Sequence, residues 1–369
     1  MEFTCKSFQN RSYKIYLERD VLEQLDSILQ SHQLTGSIFV VSDQTVFRIH
    51  GKKLLKCLKN YTVYPIIVPP GEPSKSLKNW NKIQDTLSDK GADRRSVVIA
   101  FGGGVIGDLA GFAASTYMRG LAFIQIPTTL LSQSDSSIGA KVAVNHTKAK
   151  NLIGSFYQPR FVLTDPSLLT TLPKREFAAG LGEAIKYGVI ADLELFETLY
   201  ENMEMITARN HGLLTRLLTR CIAIKIKVVE EDERETGLRK ILNFGHTIGH
   251  ALEQATNFSR LRHGEAVAWG MLAAGWLALE RRMWDSGEFE KLKSILFRAG
   301  CLYPMGKLNP KKVFDALKHD KKKTGDTLNF ILPERTGKVT VVSDIKKEEV
   351  AKALRFIFQL KPPKLRSAK

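Results

Sequence analysis

VVIAFGGGVIGD, residues 97–108, is a β-rich run that ends in a cluster of glycines. Val97–Phe101 is apolar throughout and of strand length, and a helical pattern follows the glycines. Gly102, Gly104 and Gly107 match GxGxxG at this junction, where glycines let a backbone approach a pyrophosphate at a helix N-terminus. The regular dinucleotide fold adds an acidic residue about twenty positions on, for the ribose hydroxyl. Here no Asp or Glu lies between Asp108 and Asp135, and this turn is not the chain's first from strand to helix. The stretch therefore predicts a phosphate-cradling loop in a parallel sheet that departs from the regular Rossmann order. A tight structural turn is the plainer alternative.

Toward the N-terminus, Ile38–Val41 and Val63–Val68 are further short β-rich runs, each followed by a helical pattern. Strand and helix in alternation argue for a parallel sheet covered by helices. The loop PPGEPSKS (Pro69–Ser76) follows the second run, and open sheets bind ligands at the carboxyl ends of their strands. Glu72 suits a ribose and Lys75 a phosphate; equally, PPGE suits a turn with a helix cap. Toward the C-terminus, the strand Phe123–Ile126 leads into the densest polar stretch, Thr128–Asn151. A loop that long in a compact domain usually carries function. Its candidates are Asp135, Lys141, Lys150 and Asn151, since a carboxylate flanked by lysines suits proton transfer beside an anionic ligand.

From Pro166 the pattern turns helical, which sets a domain boundary near residue 160 and gives units 1–160 and 161–369. Pro173 opens a helix that carries Glu183 and Lys186 three apart on one face, the spacing of an intrahelical salt bridge. A basic amphipathic helix with Lys225 and Lys227 comes next. Then NFGHTIGHALEQATNFSRLRHGE (Asn243–Glu265) holds three of the eight histidines. Asn243, His246 and His250 share a helical face that Arg239 can join, and a His-xxx-His pair can offer two imidazoles to one metal. A hydrogen-bonded pair on a half-buried helix is the alternative. Residues 327–342, TLNFILPERTGKVTVV, read as a small hairpin, and the tail from Lys361 as disordered.

At 369 residues, 43% hydrophobic and 25% charged, the composition is that of a globular protein of two domains. Neither a signal segment nor a membrane-spanning run is evident. Cys5, Cys57, Cys221 and Cys301 lie far apart with no CxxC pair, which fits a reduced cytoplasmic compartment. The net charge of +17 suits either nucleic acid or an anionic small molecule. The bases are spread along the whole chain and no groove-reading motif is visible, so no nucleic-acid partner is expected.

Six blocks in order give the sequence a family resemblance: GGGVIGDLAGFAASTYMRG, IPTTLLSQSDSSIGAK, KNLIGSFYQP, TLPKREFAAGLGEAIKYG, DERETGLRKILNFGHTIGHALE and HGEAVAWGM. Together they resemble the 3-dehydroquinate synthases. The resemblance implies an α/β, Rossmann-like NAD-binding domain, an all-α metal-binding domain, and an active site in the cleft between them. It further implies conversion of 3-deoxy-D-arabino-heptulosonate 7-phosphate to 3-dehydroquinate and phosphate by a homodimer that uses NAD and zinc or cobalt. The implied metal ligands are Glu183, His246 and His263, which moves His250 from metal ligand to substrate contact. The implied NAD site is Glu72, Lys75, Gly104, Val105, Ile106, Gly107, Asp108, Thr128 and Thr129, with Lys141, Lys150, Leu168 and Thr171 nearby. The implied substrate site is Asp135, Lys141, Asn151, Lys186, Lys225, Arg239, Asn243, His250 and one lysine of the run that starts at Lys321. Arg119 would reach in from the partner subunit. The family usually reads IGGKTAVN where this chain has IGAKVAVN, so Ala140 and Val142 are departures. A 2-deoxy-scyllo-inosose synthase has no substrate carboxylate to bind, and Lys225 and Arg239 argue against it. A polyol dehydrogenase would release NADH in step with substrate.

Overall fold

The computed structural model describes residues 1–5, 12–234, 237–256, 258–306, 308–324 and 329–361. Two compact units emerge, Met1–Leu172 with Leu214–Glu233, and Pro173–Leu213 with Arg234–Lys369. The sequence suggests a single boundary near 160; the units part at Leu172 instead, and the first reclaims a later segment. That segment lies within one helix, so no composition shift marks the crossing.

The first unit contains β1 (Glu2–Cys5), β2 (Tyr13–Leu17), α1 (Leu25–Ser31), β3 (Ile38–Asp43), α2 (Gln44–Cys57), β4 (Val63–Val68) and α3 (Leu77–Asp89). It continues with β5 (Val97–Gly102), α4 (Gly104–Thr116), β6 (Ala122–Pro127), β7 (Lys141–His146), β8 (Ala149–Phe156) and β9 (Phe161–Thr164). Seven strands form one sheet in the order β1-β2-β9-β6-β5-β3-β4, all parallel except β1, while β7 and β8 pair as a separate antiparallel ribbon. Every residue of β5 is buried because the sheet has a core on each face. Successive strand side chains point to opposite faces. Thus Val97, Ile99 and Phe101 join one cluster with Ile38 and Val40, while Val98 and Ala100 join the other with Phe39 and Val41. The strand order reverses between β3 and β5, and a crevice outside the carboxyl ends at such a point is where open sheets bind ligands.

The second unit contains α5 (Lys174–Ala191), α6 (Leu193–Thr207), the first turn of α7 (His211–Glu231), α8 (His246–Ala255), α9 (His263–Glu280), α10 (Ser286–Arg298), α11 (Pro310–Thr324), the hairpin β10 (Phe330–Arg335) and β11 (Lys338–Val342), and α12 (Lys347–Gln359). The sequence HGEAVAWGMLAAGWLALE is apolar almost all round, which suits a helix surrounded by others. Accordingly α9 packs against α5, α8, α10, α12 and β10. The expected hairpin is present. Residues 362–369 of the tail lie outside the described residues. Among the described residues no helix is long and apolar enough to cross a membrane.

Candidate metal centre and cofactor loop

Three helices bring one side chain each to a common point in the second unit. Glu183 lies mid-way along α5, His246 opens α8 and His263 opens α9. Close helix packing makes this possible. A Cβ on Gly264 would lie 1.8 Å from the Ala179 carbonyl oxygen, and one on Gly270 would lie 1.8 Å from that of Gly245. Nothing larger than glycine lets α9 approach α5 and α8 so closely. Glu183 Oε1 is 3.6 Å from Nε2 of both histidines, and the three ligand atoms lie within 4.8 Å of one another.

The donor set fits a divalent cation. Glu183 is 1% exposed; the Lys186 ammonium pairs with its Oε2, while Oε1, which faces both histidines, has no hydrogen-bond partner among the described residues. A buried carboxylate oxygen left so is costly unless something else binds it. Each imidazole is turned by its other nitrogen: His246 Nδ1 is 3.2 Å from the Phe244 carbonyl, and His263 Nδ1 is 3.3 Å from Glu253 Oε2. Burial, and then the Lys186 ammonium, hold the His246 pKa well below the usual imidazole value, so this ring keeps a lone pair to donate. Burial also disfavours charge on His263, but the Glu253 hydrogen bond and the charges of Glu253 and Glu183 outweigh it and raise that pKa. His250 is exposed, its ring centroid 5.3 Å from that of His246 and 5.9 Å from that of His263. It falls into a second possible trio, with Glu253 and His263. Helical spacing singles out the His246–His250 pair; tertiary packing sets His246 against Glu183 and His263.

In the first unit α4 begins at Gly104, directly after β5. A Cβ on Gly104 would sit 2.9 Å from Ser136 Oγ, so the glycine keeps the helix mouth open. Ser136 Oγ and Thr128 Oγ1 are both buried with no hydrogen-bond partner among the described residues. Orphan hydroxyls beside a helix N-terminus fit the phosphates of a dinucleotide. Gly107 serves helix–strand packing instead, since its Cβ would meet Gln125 Oε1 at 2.7 Å. Lys75 is 5% exposed, and its ammonium reaches Asp108 and, at 2.5 Å, Asn151 Oδ1. Burial lifts the Asp108 carboxyl above its usual range despite that cation. Glu72 accepts from Asn145 Nδ2 at 2.7 Å, and the Asn145 amide donates to the Lys75 carbonyl at 2.9 Å. The Pro69–Ser76 loop, the glycine helix and the β7–β8 ribbon are thus tied together. Val105 is half-buried at the mouth, Ile106 and Leu168 are core residues, and Thr129 bonds Ser132 at 2.8 Å. Thr171 bonds His50 at 2.7 Å.

The residues expected at the substrate are divided between the units. Asp135, Lys141, Asn151 and Lys225 belong to the first; Lys186, Arg239, Asn243 and His250 belong to the second. Asp135 lies in a π-helical turn, Ser132–Ser136, and accepts from the Lys225 ammonium at 2.7 Å. Arg239 is 2% exposed, Lys141 is exposed and Lys150 half-buried. The Lys321 side chain lies outside the described residues. Arg119 does not end α4, which stops at Thr116; it is exposed, in a left-handed turn at φ 65°. No sequence pattern marks Ser136, Asn145 or Glu253 as site residues, although all three lie in the polar and histidine-bearing stretches quoted above.

An α/β unit with a glycine turn at its switch point, joined to a helical unit with a Glu–His–His centre, defines the class. The same fold is seen in a 2-deoxy-scyllo-inosose synthase complexed with carbaglucose-6-phosphate, NAD+ and Co2+ (TM-score 0.88, 30% identity, 96% of this chain and 100% of that one). A 2-epi-5-epi-valiolone synthase from Streptomyces hygroscopicus subsp. jinggangensis with NAD+ and Zn2+ bound shares it too (TM-score 0.87, 27% identity, 95% and 98%). The family described as 3-dehydroquinate synthase matches by its N-terminal part over residues 65–179 and its C-terminal part over 180–323. The 3-dehydroquinate synthase of Desulforamulus reducens is 44% identical over 349 residues, 94% of this chain and 97% of its own length. The chain belongs to the 3-dehydroquinate synthase family.

Proposed function

We propose that the protein is a carbon–oxygen lyase that converts 3-deoxy-D-arabino-heptulosonate 7-phosphate to 3-dehydroquinate and phosphate. The observation that carries this reading is the buried Glu183 carboxylate facing His246 and His263, in a chain of this family. Glu183, His246 and His263 hold the divalent metal, zinc or cobalt; the glycine turn, Thr128 and Ser136 hold the phosphates of NAD. When bound, the metal polarises the oxygen that is oxidised, and NAD takes up a hydride and later returns it.

The chain's own residues do the rest. Lys225 and Arg239 hold the substrate carboxylate by charge-assisted bonds, and Asp135 keeps the Lys225 ammonium in place. Lys186, paired with Glu183, would move a proton at the hydroxyl that is oxidised. Lys141, Asn151, Asn243 and His250 position the remaining hydroxyls and the phosphate. In the elimination, the C–H beside the oxidised carbon would give its proton to an oxygen of the departing phosphate as the C–O bond to that phosphate breaks, and the residues around it hold the two in place. Ring opening and intramolecular aldol closure then need only a site that keeps the intermediate in one productive conformer. The same reading makes the protein a cytoplasmic homodimer, with Arg119 serving the partner's substrate phosphate.

The test is phosphate release from the heptulosonate with NAD far below substrate concentration. Many turnovers per NAD without accumulating NADH are expected; stoichiometric NADH would make the protein a dehydrogenase. The structural likeness to 2-deoxy-scyllo-inosose synthase favours a second substrate, a sugar phosphate without a carboxylate. Running it in the same assay decides between the two.

A further inference from the structure

We propose that Glu253 is a positioning residue that aims His263 at the metal and strengthens it as a ligand. The proposal deepens the metal-centre reading above and rests on it. His246, His250 and Glu253 fall at i, i+4 and i+7 of α8 and so share one face. That face meets the N-terminal turn of α9 because the two helices approach closely: a Cβ on Gly249 would lie 3.1 Å from the Ala266 carbonyl oxygen. Glu253 is 4% exposed, and its Oε2 sits 3.3 Å from His263 Nδ1 while Nε2 of the same ring faces Glu183 at 3.6 Å.

An imidazole presents only the nitrogen that its proton leaves free, and the partner of the other nitrogen decides which that is. The Glu253 carboxylate accepts a hydrogen bond from Nδ1–H, which keeps the proton on Nδ1 and leaves the Nε2 lone pair toward Glu183 and His246. His246 is turned the same way by a neutral group, with Nδ1 at 3.2 Å from the Phe244 carbonyl. The two histidines therefore have unlike supports. A peptide carbonyl fixes direction, whereas a carboxylate fixes direction and also makes the ring a stronger donor. The competing role is visible as well, since Glu253 with His250 and His263 forms a second trio of ligand atoms within 4.8 Å.

Titrating the metal-free full-length protein with Co2+, followed by visible absorption, separates these roles. Glu253→Ala is expected to weaken Co2+ binding by about tenfold to a hundredfold and to alter the d–d bands. Glu253→Gln, which keeps an acceptor but not the charge, should fall between it and the parent. The thermal midpoint of each metal-free variant and its NAD affinity serve as controls for folding. Glu183→Gln should weaken binding more than either. If Glu253→Ala binds Co2+ with the parent's affinity and spectrum while Glu183→Gln does not, the positioning role is wrong and the metal centre stands. If Glu253→Ala abolishes binding and Glu183→Gln keeps it, Glu253 is itself a ligand and the proposal falls. Parent-like binding by both variants would remove the metal-centre reading itself.

Discussion

Ala140 adopts φ 60° directly after Gly139 at φ 103°, at the entrance to the β7–β8 ribbon. The left-handed region costs an L-residue with a Cβ roughly 1–2 kcal/mol, which explains the glycine that the family resemblance puts here. Ala140→Gly relieves that strain and offsets the lost methyl, so the thermal midpoint should hold or rise. Ala143→Gly, in extended backbone within β7, should instead cost about 1 kcal/mol. Equal losses in the two variants would show that no strain is stored at 140. Arg239 calls for a kinetic measurement. Its replacement by Ala removes a charge-assisted bond worth about 1.5–3 kcal/mol, so kcat/KM should fall roughly tenfold to a hundredfold or more, with NAD affinity unchanged. Equal losses of both would indicate a collapsed site. The helix start at Gly104 is legible from the glycine motif that follows the strand. Residues are not legible where a side chain's partner comes from a distant strand. Lys75 reads as a phosphate contact, yet its ammonium reaches Asp108 and Asn151, far apart in sequence.

Elements are easier to read than their ends. Val97–Phe101 and Val63–Val68 are apolar enough to announce strands, and both sit in the sheet. The helix after the glycine turn is legible too, but its stop is not. Tyr117–Arg119 continues as a tight turn with Met118 and Arg119 at positive φ, a conformation that no preference of Met or Arg foretells. Nor can helical spacing reveal that α5, α8 and α9 converge, because the glycine contacts that bring them together join residues on different helices. One inter-element link is open to titration. Arg281, just past α9, pairs with Glu349 in the first turn of α12 at 2.7 Å and with Asp344 at 2.7 Å. The Arg281 hydrogen bonds draw the Glu349 carboxyl down from 4.5 to about 2. A carboxyl depressed by folding stabilises fully above its unfolded pKa and loses that contribution as pH falls through the folded one. Glu349→Gln should therefore cost about 1 kcal/mol at pH 7, with the deficit shrinking from pH 4.5 downward and gone near pH 2. Urea unfolding across that range measures it, and a deficit independent of pH would mean that the pair contributes packing alone.

At the scale of the whole molecule, the exposed Arg119 tests the proposed assembly. Homodimers of Arg119→Ala and of Glu183→Ala should each be nearly inactive, one without the phosphate contact and the other without a metal ligand. In a mixed dimer the site with an intact Glu183 receives its Arg119 from the other chain and is whole. Random reassociation should therefore restore about a quarter of parent activity. Activity that stays at the level of the separate variants would place Arg119 in its own subunit's site. The path of the backbone has a different consequence. It leaves the first unit after Leu172, spends Pro173–Leu213 in the second, and returns for Leu214–Glu233. On the ribosome, every strand of the sheet is therefore synthesised before the helix that completes the same unit emerges, with a piece of its neighbour made in between. A gene cut at Leu172 encodes every strand of the sheet but not Leu214–Glu233, and no contiguous fragment holds the first unit alone. In the meantime Asp135 waits for its partner Lys225 to be translated.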